Sequence, residues 1–587
     1  MKLSQRQSAG PSLRPAAGAA RAAAAGLAPR PRSRTCPRTA TLDAAPTTGP
    51  HSGLKHLSEE AKTRALAATK NKFEKVKVEK CGSNAWSDVP ELAAKLREGT
   101  FTWEELNLDD VDIRFKFAGL FHRGKRTPKR FMMRLKLPNG EVSADQLRYL
   151  AEVVAPYGED GCFDITTRAN LQLRGVKLED ADRILEGLIE RGMSSFQAGM
   201  DSVRNLTGSP IAGLDPHELL DVRPMLRDMN TLLFNGGRGN EEFANMPRKI
   251  NVCVSPSRDD FPHTQINDLG FEAVREPATG RVVFNVVVGG YFSLKRNMMS
   301  LPLGVAVEED QVIPFTQAVL RVFRDFGPRA DRQKTRLIWC IEDLGFEGFT
   351  AKVAEYMGGG ATFMPAVHAA HDQPWERRDV LGVHAQKQPG LFWVGASVPA
   401  GRLQTGDLVE IARIAERHGD GMVRLTCEEN VLFPNIPEAA LPALLAEPFF
   451  LKYKVNPGNL ERGLVSCTGS QFCGFALIET KHRAMEVVEK LEAALDIPKA
   501  VRIHWTGCPN SCGQAQVGDI GLMGAPAKLN GKAVEGVKIF LGGKVGEDPA
   551  LAEEFESGVP VAEEVLLPKL TALLVEHFGA TPKAAAA

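Results

Sequence analysis

The chain has 587 residues, of which 43% are hydrophobic and 25% are charged, with a formal net charge of zero. This composition excludes a mostly disordered chain, a collagen and a small disulfide-stapled scaffold. No run of about 18 apolar residues occurs, so we expect no insertion into a membrane, and the length predicts about four domains.

The first 42 residues contain eight basic residues and no acidic residue. They are rich in alanine and carry several Ser and Thr, which is typical of an organellar transit peptide. A disordered basic arm is the alternative. Without this segment, 64 basic residues face 72 acidic ones, a net charge of −8. A net negative charge on the rest of the chain argues against nonspecific nucleic-acid binding, and we expect no such binding.

Two stretches about 260 residues apart follow the same pattern. In each, an apolar strand ends at Pro-x-Gly, a helix follows, and a turn leads to a second strand. The first copy begins at Phe131 and the second at Leu391. The apolar helix positions are Leu147, Leu150, Ala151 and Val154 in the first copy and Leu408, Ile411, Ala412 and Ala415 in the second. Two copies of one α+β unit predict a pseudo-twofold arrangement with a ligand between the halves.

The last strand of the first copy carries a basic row that the second copy lacks. Side chains alternate along a strand, so Arg168, Asn170, Gln172 and Arg174 are expected on one face. Two guanidinium groups and two amides on one face suit a ligand rich in carboxylates. A solvated edge strand is the alternative interpretation.

Further basic residues stand in unusual places. Arg134 ends an otherwise apolar strand, and Arg204 follows a small polar segment. Arg248 and Lys249 precede Ile250 and Asn251, and in strand geometry Lys249 and Asn251 share a face. Each alone is typical of a surface cation. Together they would suit a pocket for a small anion.

Four of the ten cysteines form two pairs. Cys467 and Cys473 enclose five residues, Cys508 and Cys512 enclose three, and 34 residues separate the pairs. The wide first gap favours a 4Fe–4S cluster over zinc, which usually takes pairs two to four residues apart. Zinc and structural thiols remain alternatives. No Gly-x-Gly-x-x-Gly unit follows a strand and opens a helix, so no nicotinamide or flavin domain is predicted.

Four motifs in chain order resemble one family, the sirohaem and 4Fe–4S assimilatory reductases. They are Ile165-Thr-Thr-Arg-Ala-Asn-Leu-Gln-Leu-Arg-Gly175, Asn245-Met-Pro-Arg-Lys-Ile-Asn251, Cys467-Thr-Gly-Ser-Gln-Phe-Cys473 and His504-Trp-Thr-Gly-Cys508-Pro-Asn-Ser-Cys512. The resemblance covers about residues 55–580. Its most similar branch is the ferredoxin-dependent nitrite reductases of plants and algae.

This resemblance implies two cofactors, sirohaem and a 4Fe–4S cluster. It implies that Cys467, Cys473, Cys508 and Cys512 hold the cluster and that Cys512 also bridges to the sirohaem iron. The implied sirohaem contacts are Thr167, Arg168, Asn170, Gln172, Arg174 and Arg248. The implied catalytic residues around the open iron position are Arg134, Arg204, Lys249 and Asn251.

The implied reaction is the six-electron reduction of nitrite to ammonium, with reduced ferredoxin as electron donor. A ferredoxin-dependent sulfite reductase is the alternative. Where this chain has Lys249-Ile250-Asn251, the resembling sulfite reductases have Lys-x-Lys. Sulfite carries more negative charge than nitrite, so a second lysine suits sulfite, whereas Asn251 favours nitrite. The resemblance also implies a monomer, and together with the transit peptide it implies the chloroplast stroma.

The expected fold class is α+β: a pseudo-twofold repeat of ferredoxin-like half-domains with two larger α+β lobes that bind sirohaem and the cluster. The expected domains are a transit peptide at 1–42, an arm at 43–115, half-domains at 116–190 and 380–450, a first lobe at 191–379 and a second lobe at 451–587.

Overall fold

A computed structural model describes residues 51–368 and 377–583. The transit peptide predicted at 1–42 and the start of the arm lie outside these residues. Among them, no helix is both long and apolar enough to cross a membrane. The elements form five sheets, and the mixed α+β fold with two ferredoxin-like half-domains is confirmed. The domain limits given above stay predictions.

The N-terminal arm is helical and packs into the core of the half-domains. Its Trp86 stacks on Phe196 with ring centroids 5.7 Å apart, and the indole N–H donates to the carbonyl of Phe117. This buried aromatic contact ties the arm to the segment that precedes the first lobe. The arm helices are α1 (Glu59–Ala67), α2 (Lys72–Glu79), α3 (Ala85–Glu98) and α4 (Leu108–Asp112).

The first half-domain contains the first copy of the sequence repeat. Ser143 caps its long helix in a capping box with Gln146, so the helix begins where the polar residues stand. The predicted apolar positions of that helix are buried. The elements are β1 (Leu120–Arg123), β2 (Thr127–Arg134), β3 (Glu141–Ser143), α5 (Ala144–Val154), β4 (Phe163–Thr166), β5 (Asn170–Val176) and α6 (Ala181–Glu190).

The first lobe is a six-stranded sheet, in the order β11-β10-β9-β8-β7-β6, packed on helices. Its elements are β6 (Thr207–Gly208), α7 (Arg223–Phe234), β7 (Val252–Ser255), β8 (Leu269–Arg275), β9 (Val282–Val288), β10 (Leu301–Glu308), α8 (Val312–Phe326), α9 (Leu337–Leu344), α10 (Phe346–Tyr356) and β11 (Met364–Pro365).

The second half-domain repeats the first. Gln404 and Asp407 form the capping box of its long helix. The elements are β12 (Gly382–Ala385), β13 (Leu391–Ala396), β14 (Arg402–Leu403), α11 (Thr405–His418), β15 (Met422–Leu425), β16 (Val431–Pro437), α12 (Leu441–Leu445) and α13 (Phe449–Lys452).

The two half-domains exchange a short strand. β3 of the first pairs with β15 of the second, and β14 of the second pairs with β4 of the first. The sheets therefore run β1-β2-β5-β4-β14 and β12-β13-β16-β15-β3. Helices α5 and α11 pack together across the pseudo-twofold axis, and one continuous apolar core serves both halves. Neither half completes its sheet without the other.

The second lobe repeats the plan of the first. Its sheet runs β17-β19-β20-β21-β22, and in both lobes three parallel strands continue into antiparallel ones. Its elements are β17 (Leu464–Ser466), α14 (Lys481–Ala494), β18 (Leu495–Asp496), β19 (Ile503–Thr506), β20 (Ile520–Leu529), β21 (Lys532–Leu541), β22 (Glu553–Pro560), α15 (Glu563–Phe578) and β23 (Thr581–Pro582).

Sequence analysis missed this repeat of the lobes because little sequence is shared. An aspartate stands at the same place in each, just before the third parallel strand. Asp268 accepts from the backbone N–H of Asn251 at 2.7 Å, and Asp519 accepts from that of Arg502 at 2.7 Å. The cysteine loop 507–514 thus corresponds to loop 256–263 of the first lobe.

Candidate active site

A cleft lies where the first half-domain meets the two lobes. It has about 1360 Å³ of empty space, including its open mouth. Among the described residues, two acidic side chains, Asp164 and Glu429, line it against eight basic ones. The basic residues are Arg123, Arg134, Arg168, Arg174, Arg204, Lys249, Arg336 and Lys481. Such an excess of positive charge selects an anionic ligand.

Asn170, Gln172 and Arg174 alternate along β5 and line the cleft as predicted, but Arg168 does not lie on that strand, and this part of the prediction is wrong. β4 ends at Thr166 and β5 begins at Asn170, so the residues between them form a hairpin turn. Ala169 adopts a left-handed φ of 46° there, because the chain must reverse. All five predicted contacts on this hairpin nevertheless line the cleft: Thr167, Arg168, Asn170, Gln172 and Arg174.

The hairpin turn is anchored to both lobes. The Thr167 hydroxyl donates to the carbonyl of Cys512 at 3.1 Å. The Arg168 guanidinium donates to Asn267 Oδ1 at 2.9 Å. Asn170 uses its amide inside the protein, donating to the carbonyl of Leu135 at 2.6 Å. The turn therefore fixes how the half-domain meets the second cysteine loop.

Arg174 is held rigidly at the bottom of the cleft. Its Nε and Nη2 donate to Asp164 Oδ2 at 2.9 and 2.6 Å, and Nη2 also donates to Thr468 Oγ1 at 2.6 Å. Burial alone would raise the pKa of Asp164, but Arg402 and Arg174 outweigh burial and hold it well below its usual range. The guanidinium also lies over the ring of Phe472, 5.1 Å from its centroid. Arg174 is thereby preorganised for a carboxylate ligand.

Two of the predicted catalytic residues, Arg134 and Arg204, interact as like charges in the cleft. Arg134 lies at the end of β2 with its guanidinium 4.5 Å from the Phe121 ring centroid. Burial, together with neighbouring basic residues such as Arg123, lowers its pKa to about 10. Burial and Arg134 lower the pKa of Arg204 well below its ordinary value. One nitrogen of Arg204, Nη1, has no hydrogen-bond partner among the described residues, so the pair is suited to receive an anion.

The segment before β7 brings Lys249 and Asn251 into the cleft but directs Arg248 elsewhere. Lys249 and Asn251 flank Ile250, which pairs with Val203 in an isolated bridge, and both line the cleft. Burial and the guanidinium groups of Arg336 and Arg248 hold the pKa of Lys249 well below its ordinary value. Arg248, predicted to contact the cofactor, lies 3.5 Å from Asp201 and is absent from the cleft lining.

Asn251 has a defined orientation. With its carboxamide oxygen toward the basic residues, it accepts from Arg168 Nη2 at 2.7 Å and Arg336 Nη2 at 3.2 Å. Arg336 is itself paired with Asp268 at 2.6 Å. The oxygen of Asn251 is thus occupied, which leaves its NH₂ group to donate to a ligand.

The four cysteines all line the cleft, from the two loops that follow β17 and β19 of the second lobe's sheet. Gly507 donates its N–H to Cys467 Sγ at 3.1 Å. A side chain at Gly513 would lie 2.0 Å from the carbonyl of Trp505, so only glycine permits this loop path. Burial and Cys512 raise the pKa of Cys467 to about 11 and that of Cys508 to about 12. These thiols stay protonated until a cation replaces the proton.

The residues present fit both cofactors that the resemblance implies. Eight basic side chains, among them an unpaired buried guanidinium nitrogen, suit a macrocycle bearing several carboxylates. Four thiols on one wall, with backbone N–H groups directed at sulfur, suit a cluster. Among the described residues, no three His, Cys, Asp or Glu side chains converge as they would around a single metal ion.

Several cleft residues escaped sequence analysis. Arg123, Arg336 and Lys481 all line the cleft, and Arg336 fixes Asn251. Each stands among other basic residues at or beside the end of an element, a pattern too common to single out. Only the packing of distant segments makes them part of the site.

Comparison with protein families gives two matches. The nitrite and sulphite reductase 4Fe-4S domain matches residues 199–359 and 458–580. The nitrite/sulfite reductase ferredoxin-like half domain matches residues 123–191 and 384–448. Together they cover most of the chain, and each matches twice, in agreement with the two repeats in the structure.

Individual relatives agree. The chain is 50% identical to the chloroplastic ferredoxin–nitrite reductase of Zea mays, over 82% of this chain and 84% of that protein. It is 49% identical to the ferredoxin–nitrite reductase of Synechococcus elongatus, over 89% and 99%. The solved structure of the Mycobacterium tuberculosis NirA protein superposes with a TM-score of 0.73 at 28% identity, covering 84% of this chain and 94% of that one.

Proposed function

Because the chain belongs to the nitrite and sulphite reductase family, we propose that it is an assimilatory nitrite reductase. It takes six electrons, one at a time, from reduced ferredoxin and converts nitrite to ammonium. The cofactors are sirohaem and a 4Fe–4S cluster. The observation that carries this proposal is one cleft in which four cysteines face a set of preorganised basic residues.

The residues that would hold the cofactors line the same cleft, and hydrogen bonds from Thr167 to the Cys512 carbonyl and from Arg174 to Thr468 join the two sets. Cys467, Cys473, Cys508 and Cys512 would ligate the cluster, and Cys512, which lies beside the hairpin turn, would also help to hold sirohaem. Thr167, Arg168, Asn170, Gln172 and Arg174 would face the macrocycle, with Arg248 acting from behind through Asp201. When bound, sirohaem supplies an iron that binds nitrite and passes electrons to it, and the cluster relays electrons to that iron.

The protein's own task is to bind an anion and to deliver protons. Arg134 and Arg204 attract nitrite into the cleft and polarise its N–O bonds. Burial and the charge of Arg134 lower the pKa of Arg204, whose Nη1 has no hydrogen-bond partner among the described residues, so a bound anion would relieve the repulsion. The NH₂ group of Asn251 adds a neutral donor.

Proton delivery falls to Lys249. Reduction of nitrite to ammonium and water consumes eight protons for six electrons. Arg134, with a pKa of about 10, stays protonated at physiological pH and is therefore a poor proton donor. The pKa of Lys249 is held well below its ordinary value by burial and by neighbouring guanidinium groups, so its ammonium releases a proton readily. Ordered water molecules would return a proton to the Lys249 amine.

We further propose that the protein works as a monomer in the chloroplast stroma. The support is the basic, acid-free segment 1–42 and the identity to chloroplastic relatives. Import of the full chain into isolated chloroplasts, with removal of the segment, tests the location. Light scattering of the mature protein tests the monomer.

An absorption spectrum of the purified protein tests the function, recorded alone, then with nitrite, then with sulfite. Bands of a reduced porphyrin that shift with nitrite are expected. A shift with sulfite alone would favour the sulfite reductase. A colourless protein that is demonstrably complete in its cofactors would overturn the proposal.

A further inference from the structure

A buried group of charged residues lies behind the cleft, and the N-terminal arm contributes part of it. We call it the arm cluster; its members are Glu74, Lys77, Asp201, Arg329 and Arg332. The side chains of Glu74 and Lys77 on α2 are each 1% exposed, and that of Asp201 is fully buried. No sequence feature marked these residues.

Asp201 is the centre of the arm cluster. Its carboxylate accepts two hydrogen bonds from Arg332, each 2.8 Å long, and lies 3.0 Å from Lys77 Nζ. Arg248 approaches it at 3.5 Å. Burial alone would raise the pKa of Asp201, but Arg332 and Lys77 outweigh burial and keep the carboxylate ionised. Arg332 in turn lies over the ring of Phe73 on the arm, 4.2 Å from its centroid.

Lys77 joins the two segments that carry the proposed substrate residues. Its ammonium contacts Asp201 in segment 197–205 and donates to the carbonyl of Met246 in segment 245–251 at 3.0 Å. The first segment carries Arg204. The second carries Lys249 and Asn251. Glu74 Oε2 lies 2.7 Å from the same ammonium, so two carboxylates and one backbone carbonyl surround it.

The two segments are also joined by their backbones. Met246 donates its N–H to the carbonyl of Asp201 at 3.2 Å, and Ile250 donates to that of Ser202 at 3.3 Å. Arg204 donates to the carbonyl of Ile250 at 2.9 Å. Lys77 contacts this set of backbone hydrogen bonds at Asp201 and Met246, two residues that do not line the cleft. A shift at these two residues moves the residues between Met246 and Asn251 against Arg204.

The arm cluster is a poor device for stability alone. Taking ions out of water costs several kcal/mol each, and buried ion pairs repay this cost only when their geometry is excellent. The cluster instead fixes where Arg248 and the adjacent Lys249 stand. Without Lys77, the charge of Asp201 would draw Arg248 inward, and Lys249 would follow along the chain.

We propose that Lys77 of the N-terminal arm is a positioning residue of the nitrite site, which it assembles by joining segments 197–205 and 245–251. This inference rests on the proposed function. It makes the arm a working part of the active site, although no arm residue lines the cleft.

The test compares Lys77→Met with Lys75→Met in the holoenzyme. Lys75 lies on the same helix with its side chain 60% exposed, so its replacement controls for the lost charge. Three properties are measured: sirohaem per chain, the nitrite Kd from the spectral shift, and amide hydrogen exchange at Arg204, Met246 and Ile250.

In Lys77→Met we expect sirohaem to be retained and the nitrite Kd to rise about tenfold, because small misplacements of binding groups are costly. Turnover at saturating nitrite should fall as well, by about tenfold at most, because Lys249 moves with its segment and water in the open cleft replaces it in part. Exchange at the three amides should accelerate, while exchange in β8 to β10 stays unchanged. Lys75→Met should match the wild type in every respect.

A nitrite Kd within about twofold of the wild-type value would overturn the inference, as would faster exchange throughout the lobe. If Lys77→Met does not retain sirohaem, the variant Glu74→Gln tests the inference in its place. It removes the charge that pairs with Lys77 and preserves the side-chain volume. Its nitrite Kd should rise about threefold, and an unchanged Kd would refute the inference. A wild-type protein that does not respond to nitrite would refute the proposed function instead, and the exchange data would still test the positioning.

Discussion

Replacing Lys249 by Gln tests the proton-delivery step most directly. The change removes an ammonium that lines the cleft and keeps a polar side chain of similar length. Burial and repulsion from the neighbouring Arg336, Arg248 and Arg204 hold the pKa of that ammonium well below its ordinary value. Removal of Lys249 therefore relieves repulsion and should not impair sirohaem binding.

The expected loss lies in turnover. A positioned general acid contributes about 10²–10⁴-fold. Because water in an open cleft can partly replace Lys249, we expect the low end, a hundredfold loss of kcat, or about 2.7 kcal/mol in the barrier. In the wild type, turnover should fall as pH rises through the depressed pKa of Lys249, since the proton-donating form disappears. The variant should lack this limb of the pH profile.

The assay is steady-state nitrite turnover across pH with a small artificial donor, so that ferredoxin docking does not contribute. Sirohaem absorbance confirms that the cofactor is bound. Lys538→Gln is the matched control, because Lys538 lies on β21 and pairs there with Glu554. Unchanged kcat in Lys249→Gln, or a pH profile that keeps the wild-type limb, would refute the reasoning.

Three further predictions follow from other parts of the cleft. Asn251→Lys should raise sulfite turnover relative to nitrite turnover about tenfold, because it adds a cation beside Arg168 and Arg336; an unchanged ratio of the two rates would count against Asn251 as the selector. Asp164→Asn should lower the free energy of unfolding in urea by about 3 kcal/mol, since Arg174 and Arg402 lose their buried partner. The pKa of Asp164 is depressed in the fold, so this stability is complete above its unfolded pKa of about 4 and declines as pH falls below it; equal urea midpoints at pH 7 would contradict the prediction. Ferredoxin-dependent turnover should weaken as salt rises, whereas turnover with a small artificial donor should weaken much less; equal salt dependence would argue against charge-guided docking.

Among the described residues, the hairpin of the first half-domain supplies five of the predicted cleft contacts, whereas that of the second supplies one lining residue, Glu429. The turns have the same shape, with left-handed residues at Ala169 and Glu429. Arg168 occupies the turn of the first copy, and Glu428 occupies the same place in the second. Glu428 is neutralised within the protein by Arg377 at 2.6 Å. Divergence of two side-chain charges on one backbone plan thus separates a ligand-binding turn from a structural one.

Local and repeated features could be predicted from the sequence. Helices α5 and α11 begin at their polar caps and bury the predicted faces, since capping and periodicity are properties of neighbouring residues. The copies at Phe131 and Leu391 indicated the paired half-domains because both retain the same apolar pattern. The cysteine spacing and the motif resemblance indicated the cofactors and the family, and the relatives confirm both.

Only the tertiary structure decided which distant residues meet and which charge faces which. The sequence placed Arg168 in a strand, but the chain reverses at Ala169 and puts it in a turn. Arg248 follows the same motif as Lys249, yet Asp201 draws it away from the cleft. Lys77 and Arg336 gave no local signal at all. A cation acquires its role from the carboxylates and carbonyls that surround it, and two of those around Lys77 come from segments more than a hundred residues away along the chain. No local pattern encodes such partners, because they are set by the packing of the whole core.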